Sequence, residues 1–290
     1  MNGLVIFMLS GSVLQLTPGD YSRSVVVSGI TRNFEVHIPV GYDAMKPHPL
    51  VLIFHGLGAN PATMAEDSDL NRKADQAGFI AVYPAGSGNP AGWNAGLCCN
   101  RTATDVEFTK AILTDIAAVA KTDQTRIYAV GLSNGAMMAN RLACELPDRI
   151  AAIGTVAGLK MVTTCSPGRA VPVIHFHGTK DNVIPFNGTQ GRLSVKEHIA
   201  FWVRNNHADT TAKSVTLSSS AMKVTQETHR SSGTDSADVV LVRIEGGGHL
   251  WPGRPRPARF STLEEQMLFG ETTQDVSAND LIWAFLEKHH

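Results

Sequence analysis

Ile127-Tyr-Ala-Val-Gly-Leu-Ser-Asn-Gly-Ala-Met-Met-Ala139 decides how the rest of the chain is read, because a short apolar run passes straight into a helix-forming run through Gly131-x-Ser133-x-Gly135. A serine on so sharp a strand-to-helix turn needs small flanking residues, since side chains at 131 and 135 would collide with the adjoining strand and helix. Such a turn lifts the Ser133 hydroxyl to the rim of a sheet and aims the N–H of Asn134, at the helix start, toward a developing oxyanion. With 26 glycines in 290 residues the pattern also arises by chance, so its surroundings carry the weight.

Upstream, Leu50-Val-Leu-Ile-Phe54 is a continuous apolar run, as expected of a strand buried on both faces, and it ends at His55-Gly-Leu-Gly58. A glycine-rich loop at that place supplies a second oxyanion donor, for which the backbone N–H of Leu57 is the candidate. His55 is read as holding that loop by hydrogen bonds, because acyl transfer by a triad needs a single base. Before it, Ser24–Val27 and Phe34–Ile38 form an antiparallel hairpin around a Ser-Gly turn. A helix over 63–77 and the strand Phe79–Tyr83 follow. The segment 84–104 is then too long for an ordinary connector, and loops of this length in compact domains are usually functional. Trp93 in its middle either walls a substrate cleft or anchors the loop itself. Phe108, Ile112, Ile116 and Val119 recur at helical spacing on the next helix, a core stripe.

Downstream, the helix after Ser133 stops at Pro147 and Ile150–Val156 gives another strand. Only a short connection precedes the strand Val171–His177, which leaves no room for a cap domain, so the cleft should be open. That strand runs into His177-Gly-Thr-Lys-Asp181, a carboxylate on a loop just past a strand, where a triad acid belongs. His175 and His177 share one face of the strand, but no Asp, Glu or Cys ligand pattern accompanies them and no metal site is assigned. The last strong strand, Asp238–Ile244, opens into Gly246-Gly-Gly-His249-Leu-Trp251, a loop flexible enough to swing the imidazole across the sheet edge. Ser133, Asp181 and His249 thus occur in the order serine, acid, histidine, each after an apolar strand. Trp251, beside that histidine, is a second candidate for contact with substrate. Arg254, Arg256 and Arg259, interleaved with prolines, read as a solvated loop.

A net charge of −1 and a pI near 6.8 offer no electrostatic footprint for nucleic acid or an anionic membrane, so the expected partner is a small or oligomeric neutral substrate. No run reaches the length of a membrane span, and Leu4–Leu9 is long enough only for a truncated signal-peptide core or a frayed tail. The expected organisation is a tail over 1–20 and one catalytic domain over 21–290. The four cysteines, 98, 99, 144 and 165, allow three pairings; Cys144 and Cys165 fall near the same lower sheet edge.

His55-Gly56, Gly92-Trp-Asn-Ala-Gly96 with Cys98-Cys99, Gly131-Leu-Ser-Asn-Gly-Ala136, Leu142-Ala-Cys-Glu145, His177-Gly-Thr-x-Asp181 and Gly246-Gly-Gly-His-x-Trp-Pro-Gly253 together resemble the polyhydroxybutyrate depolymerase and feruloyl esterase family of α/β-hydrolases. The resemblance spans roughly residues 20 to 288. It implies an α/β-hydrolase fold, a mostly parallel sheet with helices on both faces and no large cap. It also implies a secreted or periplasmic serine esterase without metal or organic cofactor, with Ser133, Asp181 and His249 in the triad positions and Cys98–Cys99 and Cys144–Cys165 as the disulfides. The substrates it implies are aryl, feruloyl-type esters or hydroxyalkanoate and polyester oligomers. The rival expectations are a serine peptidase and a non-catalytic binding protein that keeps the fold.

Overall fold

A ten-stranded sheet runs through the chain in the order β1-β2-β4-β3-β5-β6-β7-β10-β9-β8, as given by a computed structural model that describes residues 15–231 and 233–290. The expected signal-peptide remnant at Leu4–Leu9 lies outside the described residues. β1 (Gly19–Val27) and β2 (Ile30–Ile38) are joined by Ser28 and Gly29, both at positive φ (50° and 78°), the two-residue geometry whose twist matches that of paired strands. The ribbon extends further toward the N-terminus than its apolar core suggests, since β1 alternates exposed and half-buried positions from Gly19 onward.

The centre is parallel. β4 (Ile80–Pro84), β3 (His48–Phe54), β5 (Thr122–Leu132), β6 (Ala152–Val156), β7 (Val173–Gly178) and β10 (Val239–Ile244) pair side by side in one direction, flanked by the antiparallel β1–β2 ribbon and by β9 (Val224–His229) and β8 (Lys213–Ser218). Because strand side chains alternate, β3 feeds two cores at once: Leu50, Leu52 and Phe54 pack on one face, Val51 and Ile53 on the other. The first face is covered by α3 (Asp105–Val119), α4 (Asn134–Glu145) and α5 (Val195–Asn205), the second by α1 (Pro61–Ser68), α2 (Leu70–Ala77) and α7 (Ala278–Leu286). This is the α/β-hydrolase arrangement, with no inserted cap after β6.

Two departures from the sequence reading matter for the site. The single helix expected over 63–77 is broken at Asp69, whose φ is 55°. Ser68 Oγ bonds back to Met64 O, and Asn279 of α7 reaches across to Ser68 O at 2.7 Å, so a tertiary partner takes up the carbonyl that the break releases. The second is α6 (Leu263–Phe269), a short helix in a stretch to which the sequence reading assigned no element. Its start was marked in the sequence by Thr262 and Glu265, which form a reciprocal capping box.

Candidate active site

At the end of β5 the backbone of Ser133 takes φ 57° and ψ −122°, a conformation that costs energy for a residue with a side chain and recurs at functional turns. The turn is held by Ser133 N–H donating to Val156 O and Met137 N–H donating to Ser133 O. It fits because its flanks are bare. A Cβ at Gly135 would stand 2.1 Å from Phe54 O, and one at Gly131 2.4 Å from the Gly135 carbonyl carbon. α4 can therefore start directly on the end of β3, with Ser133 at the sheet rim.

Asp181 lies on the loop after β7 with its side chain shielded from solvent. One carboxylate oxygen accepts the N–H groups of Val183 and Ile184 at 2.9 and 2.7 Å, and the other faces His249 Nδ1 at 2.7 Å. A carboxylate only accepts, so Nδ1 carries the proton and Nε2 keeps its lone pair. His249 is placed by the glycine loop after β10 and by its own N–H, which donates to Phe269 O at 2.7 Å. Ser133 and His249 line both of the cavities that meet at the rim. Among the described residues Ser133 Oγ makes no hydrogen bond.

The two N–H groups expected to face an oxyanion also flank Ser133. Asn134 opens α4, where helix geometry provides no acceptor, and Leu57 sits on the turn after β3. Among the described residues neither backbone N–H has an acceptor within the chain. The Asn134 side chain is turned to the long loop, its Oδ1 accepting Trp93 N–H at 2.7 Å and its Nδ2 donating to Trp93 O at 3.2 Å, which clamps that loop onto the elbow. That loop is further held by Asn94 N–H on Asp105 and by Arg141 on Asn94 O. Gly58 N–H on Ala91 O ties it to the Leu57 turn.

Trp93 itself is fully buried, edge-on to Phe54 at 5.1 Å, with its indole N–H on His55 O at 2.8 Å. Of the two roles left open for it, the substrate-facing one is therefore corrected in favour of the anchor: the ring is inside the first core and the loop is held through it. His55 is buried and used at both nitrogens, toward Gly56 O and Gly86 N–H, and burial lowers its pKa. Trp251 is 3 % exposed; its N–H donates to Asn279 and it forms part of the wall of the smaller cavity.

The smaller cavity has a volume of about 290 Å³ and is bounded by Trp251, Met64, Pro255, Pro257, Phe260 and Phe269. The larger, about 630 Å³, extends past Cys98, Cys99, Met137, Met161 and Ile184. It continues over the loop at 187–193 into a more polar groove with Lys160, Asn187 and Glu197. Phe260 and Phe269, stacked with ring centroids 4.0 Å apart, were not singled out in the sequence, since they lie in a segment without strong periodicity. The arginines of this segment are not simply solvated. Arg254 pairs with Asp69, Arg256 with Glu271 and Arg259 with Asp67, which straps the segment over the smaller cavity. Cys98 is bonded to Cys99 and Cys144 to Cys165. Among the described residues there is no metal-binding cluster and no helix long and apolar enough to cross a membrane.

A family model for esterase PHB depolymerase matches residues 33–240. The chain belongs to this family. As a member of the esterase PHB depolymerase family it is a carboxylic ester hydrolase with the α/β-hydrolase fold. NocK of Nocardia uniformis subsp. tsuyamanensis, described only as a candidate esterase, is 30% identical over 282 residues, covering 88% of this chain and 81% of that protein. Feruloyl esterase B of Piromyces equi is 33% identical over 189 residues, 63% of this chain but only 35% of the relative's length. Among solved structures, the acetyl xylan esterase from Aspergillus awamori superposes with a TM-score of 0.60 at 16% identity, covering 79% of this chain and 94% of the other, a likeness of fold.

Proposed function

We propose that this family member is a serine esterase acting through an acyl-enzyme on aryl, feruloyl-type esters. Ser133 Oγ attacks the ester carbonyl while His249 Nε2 takes its proton, and Asp181 holds the imidazole tautomer and stabilises its charge. The N–H groups of Leu57 and Asn134 receive the oxyanion, and His249 then protonates the leaving alcohol. Water activated by the same imidazole releases the acid. The Ser133–His249 hydrogen bond is the contact that substrate binding completes, as such bonds tighten in the Michaelis complex.

The observation that carries the reading is the pair of unused N–H groups beside a strained serine, at the point where two unequal cavities meet. The compact arm, walled by Phe260, Phe269 and Trp251, suits a flat aromatic acyl group. The long arm runs out into a polar groove and suits an alcohol that remains attached to a saccharide or other bulky partner. Its apolar inner stretch, with Met137, Leu159 and Met161, favours a second reading, hydroxyalkanoate oligomers lying along it. We further propose that the described residues act as one catalytic domain. Two disulfides suit an oxidising compartment, which supports a secreted or periplasmic location.

The test is a panel of methyl ferulate, short 4-nitrophenyl esters and 3-hydroxybutyrate oligomers, run on the wild type, Ser133→Ala and Phe260→Ala. Ser133→Ala should lower kcat by about 10⁶-fold while the protein stays folded. Phe260→Ala should raise KM for methyl ferulate by about tenfold, the scale of one aromatic contact, and leave acetyl esters unchanged. Substantial activity in Ser133→Ala would sink the mechanism; equal losses on all esters in Phe260→Ala would sink the aryl assignment.

A further inference from the structure

Behind the Asp181 carboxylate stands a file of buried histidines that the ester chemistry leaves unused. His175 and His177 point to one face of β7, two residues apart, and neither reaches solvent. Thr155 Oγ1 on β6 lies 2.8 Å from His175 Nδ1, and His175 Nε2 lies 3.0 Å from His177 Nδ1. His177 Nε2 then lies 2.8 Å from Ile184 O and 3.4 Å from Asp181 Oδ2. His198 of α5 meets the His175 ring edge-on at 4.8 Å and accepts Lys160 N–H at its Nδ1.

The tautomers along this file follow from its far end. A carbonyl oxygen only accepts, so His177 Nε2 carries the proton and its Nδ1 a lone pair. His175 Nε2 must then be the donor to that lone pair, which leaves His175 Nδ1 to accept the Thr155 hydroxyl. One assignment satisfies all three contacts; the opposite one would aim the His177 lone pair at both a carbonyl and a carboxylate oxygen, a repulsive arrangement in a buried site. Burial keeps both imidazoles on the neutral side, His175 well below the ordinary range and His177 below it despite the raising influence of Asp181 and Ile184 O. Neutrality matters here. A cation at 177 would compete with the imidazolium of His249 for the same carboxylate oxygen.

Ile184 is gripped at both ends. Its N–H donates to Asp181 Oδ1 and its carbonyl accepts from His177. The turn from Asp181 to Ile184 therefore closes around the carboxylate and is fastened to β7 through one imidazole. We propose that His177 is a positioning residue of the triad, its Nε2–H oriented by His175 and Thr155 so that it pins the Asp181–Ile184 turn and holds Asp181 Oδ2 toward His249. The role rests on the triad reading given above and adds to it a second imidazole that never touches substrate.

The experiment compares His177→Leu, which removes the donor, with His177→Gln, whose amide N–H can reach the same carbonyl. Steady-state kinetics on a soluble ester are combined with the rate at which a fluorophosphonate labels Ser133. His177→Leu should lower kcat and the labelling rate by about 10- to 100-fold, the cost of a misplaced catalytic group, with KM unchanged. It should also move the pH dependence of kcat/KM, which a packing defect would not; the charged and titratable groups facing His177 are His175, Asp181, His249 and, from α5, His198. His177→Gln should recover most of the loss. Thr155→Val, which keeps every imidazole and the side-chain shape, should cost roughly threefold to tenfold in kcat, the scale of one hydrogen bond. A folded His177→Leu with wild-type kcat, labelling and pH profile would overturn the role, as would a glutamine variant no better than leucine. If His177→Leu does not fold, an unaffected Thr155→Val overturns it instead. Absence of wild-type labelling at Ser133 would sink the triad reading and this role with it, whereas normal labelling with an unaffected His177→Leu sinks this role alone.

Discussion

Replacing Trp93 by alanine separates an anchoring indole from a substrate-stacking one. The side chain is fully buried, packs edge-on against Phe54 at 5.1 Å and donates to His55 O at 2.8 Å. Truncating a buried aromatic side chain costs about 3–5 kcal/mol through lost transfer energy and the cavity left behind. Leaving the His55 carbonyl without its donor pushes the loss toward the upper half of that range, about 4 kcal/mol or more. For a domain of this size about 2–4 °C of melting temperature corresponds to each kcal/mol, so Tm should fall by about 10 °C. Function should follow by an indirect route. The Trp93 backbone is clamped by Asn134, and Gly58 N–H is held by Ala91 O in the same loop, so a loosened loop disturbs both N–H groups proposed to receive the oxyanion. Complete removal of one such donor costs about 10²–10³ in kcat, so partial displacement should cost about tenfold. That loss should be equal for acetyl and aryl esters and fall in kcat. Thermal melts by circular dichroism and kinetics on one small and one bulky ester provide the measurement. A variant with unchanged Tm and a KM raised only for aromatic esters would refute the burial argument and return Trp93 to the cleft.

Two further outcomes follow from burial and from the covalent links. Burial pushes His55, His175, His177 and His198 below the ordinary imidazole range, His198 to about 3. In the unfolded chain these groups protonate near about 6.5, so below that pH the unfolded state binds more protons than the folded one. The stability they contribute is fully present above the unfolded value and is lost as pH falls, each histidine costing up to about 1.4 kcal/mol per pH unit until its folded value is reached. Tm measured across a pH series should drop steeply below about pH 6.5, and a flat series would show that these imidazoles are not buried neutral. The Cys144–Cys165 bond closes a loop between residues 21 apart, so Cys144→Ser with Cys165→Ser should lower the unfolding free energy by about 3 kcal/mol in a urea titration. An unchanged midpoint would mean that the link constrains nothing in the unfolded chain.

Local chemistry made much of this protein legible from its sequence alone. Apolar runs ending in short loops marked the strands, because a strand buried on both faces has no solvent side to carry polar residues, and Leu50–Phe54 feeds two cores for that reason. The elbow was legible because only glycine tolerates the 2.1 Å approach at 135 and the 2.4 Å approach at 131. Asp181 and His249 were legible as candidates because each follows a strand end, and the structure brings them to 2.7 Å. What the tertiary structure decided is where long-range partners spend side chains that look equally available in sequence. Trp93 and Trp251 both sit in glycine-rich loops, yet one is sealed in the core and the other forms part of a cavity wall, because Phe54 and His55 receive the first while Asn279 orients the second. The arginines at 254 and 259 became straps only through Asp69 and Asp67, nearly two hundred residues away. His175 and His177 carried no chemistry as a spacing on a strand; the turn at Ile184 and the hydroxyl of Thr155 give each nitrogen its direction, and such partners are set by packing across the sheet, which no local pattern encodes.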